Sequence, residues 1–118
     1  MKTGNDNYKD GMFETDINNL LYLQSSDNYI DICYKNRSSV EHKLVRNTLA
    51  AVEKSLNHPA LIRCHRSFII NKYYVRSIKR SAGRYKIVIE TSNVEIPVSR
   101  KYKNALFVSL GKKGVIRP

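Results

Sequence analysis

Short apolar runs separated by turn formers constrain this chain more than any other feature. The runs "YIDICY" (Tyr29–Tyr34), "VEHKLV" (Val40–Val45), "YKIVIE" (Tyr85–Glu90) and "VEIPVS" (Val94–Ser99) are rich in β-branched and aromatic residues. Between or beside them stand "SSDN", "KNRSS", "SAGR" and "TSN", clusters that favour reversal of the chain. "INNLLYLQS" (Ile17–Ser25) is another apolar run of strand length, but its periodicity is ambiguous. "LIR", "SFIIN" and "YYVRSIKR" complete the series. The pattern predicts about seven or eight strands, and successive turns make the pairing mostly antiparallel. Strands this short and numerous suit a sandwich or an open barrel, and no strand–helix alternation suggests a doubly wound sheet.

Two segments change period. In "NTLAAVEKSLNHP", Leu49, Val52 and Leu56 recur at three and four residues, Asn47 or Thr48 can cap the start, and Pro59 follows the end. A helix is expected over about 48–56. In "SRKYKNALFVSL", Tyr102, Ala105, Leu106 and Leu110 have helical spacing, with Ser99 placed as a cap. The fold class expected is therefore mainly β, with one or two short helices.

The 118 residues suit one domain with its own core, and 42% apolar content is too high for a disordered tail. Residues 1–12 are polar and read as a flexible leader, residues 13–110 as the folded domain, and 111–118 as a basic, mobile tail. No stretch approaches the roughly 20 apolar residues of a membrane span, and no export signal is evident. Cys33 and Cys64 form no CxxC pair, so both read as reduced thiols in a cytoplasmic protein.

Charge is distributed unevenly. Residues 1–60 hold seven Lys/Arg and eight Asp/Glu, whereas residues 61–118 hold fourteen and two. Half of the chain thus carries the whole formal excess of +11. A one-sided basic field attracts nucleic acid or an anionic membrane. Catalytic chemistry finds little support. His42, His58 and His65 have no zinc-like spacing, and no glycine-rich phosphate loop is present. Cys64 and His65 are neighbours on an extended segment, so their side chains point to opposite faces. No catalytic residue, metal, cofactor or small-molecule substrate is expected.

The stretch "RCHRSFIINKYYV" (Arg63–Val75) sets Arg63, His65, Arg66 and Lys72 around an apolar run. At "VEIPVSRKY", Ser99 and Arg100 fall at a strand-to-helix junction, where free backbone N–H groups favour an anion and an arginine adds a forked donor pair. Each can also be read as an ordinary cap or a solvated cation. In "SSDN", Asn28 can meet a base edge or a phosphate, whereas Asp27 repels phosphate unless it turns inward.

Taken together, "LLYLQSSDNYI", "VRNTLAAVEKSL", "LIRCHRSFIINKYYVRSI" and "VEIPVSRKY" resemble, in order and spacing, the LytTR DNA-binding domain. The resemblance covers about residues 15–108. It implies an elongated stack of small β-sheets that contacts double-stranded DNA through loops at sheet edges. It also implies direct-repeat sites, pairing with a second copy on DNA, and service as the output domain of a response regulator in a two-component system. Carried over position by position, the contacts fall on Asp27, Asn28 and Tyr29; on His65, Arg66 and Ser67; and on Ser99, Arg100 and Lys101. Asn71 is implied to be structural. Gln24 stands where the family commonly has Glu. The sequence contains neither a receiver domain nor a membrane helix that would reveal an input signal.

Two other functions compete. An RNA or single-strand module on a small β-barrel would expose aromatics for base stacking, and the chain has eight tyrosines, most at positions expected to be buried. An enzyme would use Cys64 or His65.

Overall fold

A computed structural model describes residues 7–111 and 116–117. It contains eleven strands, two α-helices and three sheets among those residues. β3 (Leu20–Ser26), β4 (Tyr29–Asn36), β5 (Ser39–Arg46), β6 (Leu61–His65) and β7 (Phe68–Asn71) form a five-stranded sheet in the order β5-β4-β3-β7-β6. β8 (Val75–Ser81), β9 (Arg84–Ile89), β10 (Glu95–Val98) and β11 (Ile116–Arg117) form a second, in the order β10-β9-β8-β11. β1 (Asn7–Asp10) and β2 (Phe13–Asp16) make a hairpin. All pairings are antiparallel except β11 with β8. The extents of 42 × 31 × 24 Å match an elongated stack, as the family resemblance implies.

The five-stranded sheet is apolar on both faces. Leu20, Leu23, Ile30, Ile32 and Ile69 meet Tyr8, Ile17 and the Leu49–Val52 face of helix α1 (Leu49–Leu56) on one side. Tyr22, Cys33, Ile62, Cys64 and Ile70 meet the second sheet and helix α2 (Arg100–Leu110) on the other. Full burial of each such Leu or Ile contributes about 1.5–3 kcal/mol. The ambiguous period of "INNLLYLQS" has a physical cause. The β3–β4 register slips between Leu20 and Tyr22, leaving Leu21 as a bulge. Leu20 and Leu23 therefore serve one core while Leu21 and Tyr22 serve the other. Its first residues, Ile17–Asn19, form a 3-10 turn instead of strand.

Helix α1 begins where expected: the Thr48 hydroxyl accepts a bond from the Ala51 N–H at 3.2 Å. Asn71 is fully buried and donates from Nδ2 to Ile17 O (3.1 Å) and Leu20 O (2.9 Å), while its Oδ1 accepts from the Tyr73 N–H at 3.0 Å. Its role is structural.

Part of the expected leader is ordered. Asn7–Asp10 form a strand and Tyr8 is only 2% exposed, because its ring closes one core and meets Phe13 edge-on. At the other end, the expected mobile tail falls partly outside the described residues, at 112–115 and 118, but Ile116 and Arg117 pair with Ile78 and Lys79. Ala105 is exposed in α2, and Leu106 and Leu110 carry its packing. Among the described residues no helix is long and apolar enough to cross a membrane.

Candidate nucleic-acid interface

Strand register brings the three sequence-predicted loops to one end of the five-stranded sheet. The β3–β4 turn closes at the Ser26–Tyr29 pair, and Gln24 lies opposite Phe68 at the start of β7. The Ser25 N–H donates to Ser67 O at 2.9 Å, so the β3–β4 and β6–β7 turns are joined through main chain. The Ser99 N–H donates to Cys64 O at 3.0 Å, which ties the β10–α2 junction to the same strand end. Asn28, Tyr29, His65, Arg66, Ser67, Arg100 and Lys101 thus lie on adjacent loops.

Each loop presents its side chains differently. Asp27 takes φ +54°, a left-handed conformation that Asp tolerates, and it is exposed together with Asn28 and Tyr29. It does not turn inward, so its carboxylate stays in solvent beside Asn28 and Tyr29. Arg66 projects into solvent from the β6–β7 turn, while His65 and Ser67 are half-buried. Arg100 and Lys101 are exposed on the first turn of α2, which carries no acidic residue. Ser99 occupies the cap position but makes no side-chain cap bond, contrary to expectation, and its buried Oγ has no hydrogen-bond partner. His65, Arg84, Lys86, Ser99, Arg100 and Lys103 line one open groove. Among described residues, Arg66, Arg84, Lys86 and Arg100 form no ion pair, whereas Lys79 is committed to Glu95 at 2.6 Å.

His65 is held as a neutral acceptor. The Ser67 N–H donates to its Nδ1 at 3.1 Å, which leaves the ring proton on Nε2. Burial lowers the pKa of His65 below its ordinary 6.5, and the Arg66 and Arg63 charges lower it further. The sign follows directly. A depressed folded-state pKa means that the unfolded chain binds the proton first, so the stabilisation is complete above about pH 6.5 and is lost as pH falls. His65→Gln is therefore expected to reduce the fall in melting temperature between pH 7 and pH 5. An unchanged pH profile would show that His65 is not the titrating group.

Arg63 stands in sequence beside His65 and Arg66, but it faces inward. Its side chain is 14% exposed, and it donates to Glu53 Oε1 (2.6 Å), His65 O (2.9 Å) and Arg66 O (2.7 Å). Sequence gives no signal for this, because three acceptors from separate segments must first converge. Arg46, by contrast, was overlooked. It is exposed, lies opposite Tyr29 in the β4–β5 pairing, and borders a shallow depression with Asn28, Asn47 and Thr48. Its position just before the helix cap in "VRNT" was the available sign.

The rivals fare poorly on geometry. Cys64 is fully buried and burial pushes its thiol up to about 12, so it is a protonated core residue and no nucleophile. Among the described residues no group of three or more His, Cys, Asp or Glu could hold a metal ion. Only Tyr8 and Tyr22 of the tyrosines are buried, fewer than expected. The clearly exposed ones, Tyr29 and Tyr73, sit at opposite ends of the sheet and form no stacking platform.

Residues 10–111 match the family model described as the LytTr DNA-binding domain. The chain is 29% identical over 92 residues to the sensory transduction protein LytT of Bacillus subtilis, covering 77% of this chain and 36% of that protein. It is 32% identical over 84 residues to an uncharacterized response regulatory protein of Vibrio cholerae, covering 70% and 34%. The chain thus spans about a third of the length of these curated relatives. A solved LytTr DNA-binding domain from Bacillus cereus shares the fold, with a TM-score of 0.72 at 21% identity, covering 89% of this chain and 94% of that one.

Proposed function

Since this chain belongs to the LytTr DNA-binding domain family, we propose that it binds double-stranded DNA sequence-specifically through the three loops at one end of its central sheet, as the output domain of a bacterial transcription regulator. The observation that carries the reading is the convergence of Asn28, Arg66 and Arg100, each exposed, on loops joined by main-chain hydrogen bonds. Arg66 and Arg100 are suited to base edges or close groove contacts, as is Asn28. Tyr29, His65, Ser67 and Lys101 supply phosphate or sugar contacts beside them, and Arg46 extends the cationic rim. No catalytic step, cofactor or small-molecule substrate belongs to this role. A cytoplasmic setting, direct-repeat sites and pairing of two copies on DNA accompany it.

Arg100 provides the test. A duplex selected by the chain from a randomised library is compared with its scrambled counterpart at matched salt. If Arg100 forks onto a guanine edge, Arg100→Ala costs about 1–3 kcal/mol on the selected duplex and relaxes preference at one base pair. Arg100→Lys keeps the charge but not the fork, so it recovers little of that loss. A pure phosphate contact would weaken both duplexes alike and lower the salt slope by about one unit. Unchanged affinity of Arg100→Ala for both duplexes would remove Arg100 from the interface.

A further inference from the structure

We infer that Arg63 is a positioning residue that locks the β6–β7 turn and helix α2 into one reading unit, so that Arg66 and Arg100 meet DNA in a fixed relative register. The inference rests on the DNA-reading role proposed above and deepens it.

Three contacts carry the assignment. From the stem of the hairpin, Arg63 reaches forward with Nε to His65 O and with one terminal nitrogen to Arg66 O, at 2.9 and 2.7 Å. These carbonyls belong to the two peptide groups on either side of the Arg66 Cα, and a planar fork fixes both at once. The other terminal nitrogen is anchored by Glu53 of α1 at 2.6 Å. The Arg63 guanidinium also lies 5.7 Å from the centre of the Tyr102 ring, two residues after Arg100. One side chain therefore touches the turn that holds Arg66, the helix that opens with Arg100, and α1, which is packed on the sheet. It does so while only 14% exposed, so it is not free to join a phosphate itself. Readers on separate loops gain affinity and discrimination only when their mutual geometry is set before DNA arrives, because ordering them on binding costs conformational entropy.

The geometry also states how the strut fails. Lysine has a single point of donation and cannot span Glu53, His65 O and Arg66 O. Glutamine lacks both the charge for Glu53 and the reach. Tyr102→Leu removes the α2 arm, together with the seat of Lys101 Nζ 5.4 Å from the same ring, and leaves the turn braced.

The test measures Arg63→Lys, Arg63→Gln and Tyr102→Leu in the full 118-residue chain. Affinities are taken for the selected and scrambled duplexes, with the salt slope for each. Both Arg63 variants should lose discrimination by about tenfold or more, comparable to losing one base contact, with the scrambled duplex changing by less than about twofold. The salt slope should hold, because no phosphate contact is lost. The non-additivity between Arg66→Ala and Arg100→Ala should shrink in the Arg63→Lys background and in Tyr102→Leu. Amide exchange of Ser67 in the DNA-free protein should quicken in both Arg63 variants. If Arg63→Gln does not fold, Arg63→Lys and Tyr102→Leu decide. Folded variants with unchanged discrimination, or with equal losses on both duplexes, would overturn the positioning role. Failure of the wild-type chain to prefer any duplex, with quickened exchange at Ser67, would sink the DNA reading and leave the strut as a purely structural brace.

Discussion

Asn71→Ala should lower the stability of the domain by about 3–5 kcal/mol, because it removes three hydrogen bonds at once: the two that Nδ2 donates to the Ile17 and Leu20 carbonyls and the one that Oδ1 accepts from the Tyr73 N–H, with Ile17 O keeping the Leu20 N–H. No isolated truncation of an exposed residue should approach this. Asn71 is fully buried where β7 ends, and it fastens that end to the 3-10 turn that leads into β3. Losing it frees two segments of the central sheet together. Against a total stability of about 5–15 kcal/mol, the loss is a large fraction. For a domain of this size the melting temperature should fall by more than about 12 °C. Asn71→Asp keeps an acceptor for Tyr73 but loses both donors, so it should recover little. The check is chemical denaturation with a constant m-value. A loss below about 1 kcal/mol for Asn71→Ala would mean that water replaces the side chain and that these bonds are not the fastening they look to be.

Duplex binding should show the largest change on the functional side, and the variable is salt. Arg46, Arg66, Arg84, Lys86, Arg100 and Lys101 are all exposed, and Glu90 and Glu95 are the only acids in residues 61–118. If about six phosphates are neutralised, log affinity should fall against log salt with a slope near −5. Between 50 and 200 mM salt, that is a loss of about 10³-fold. A slope near zero for duplex DNA would remove the polyanion contact altogether. The response should not depend strongly on sequence, which separates this term from base reading by Arg100.

Much of this was legible before any coordinates. The β3–β4 turn, β4, β5 and helix α1 follow from alternation, turn formers and the Thr48 cap, all local signals. The three loops were also legible, but through family resemblance, since nothing local says that residues 28, 66 and 100 end up as neighbours. What sequence hid was set by tertiary contacts. Leu21 bulges, so β3 shows no clean period and feeds two cores. Tyr8 is the lone large apolar residue among Asn7, Lys9 and Asp10, and one residue cannot reveal a period, yet its ring completes a core. Arg63 carries the same charge as its exposed neighbour Arg66, and only the convergence of Glu53, His65 O and Arg66 O sets the inward side chain apart from the outward one. Ser99 has the composition of a cap, but its hydroxyl makes no such bond.

The bonds from Ser25 N to Ser67 O and from Ser99 N to Cys64 O involve main chain alone. Any residue other than proline at 25 or 99 supplies the same donor, and any residue at 64 or 67 supplies the same acceptor. The spacing of the three loops is therefore indifferent to what the loop tips carry. On the DNA-reading role proposed above, a lineage could exchange the side chains at 28, 66 and 100 one at a time to shift its target, without renegotiating the scaffold that holds them.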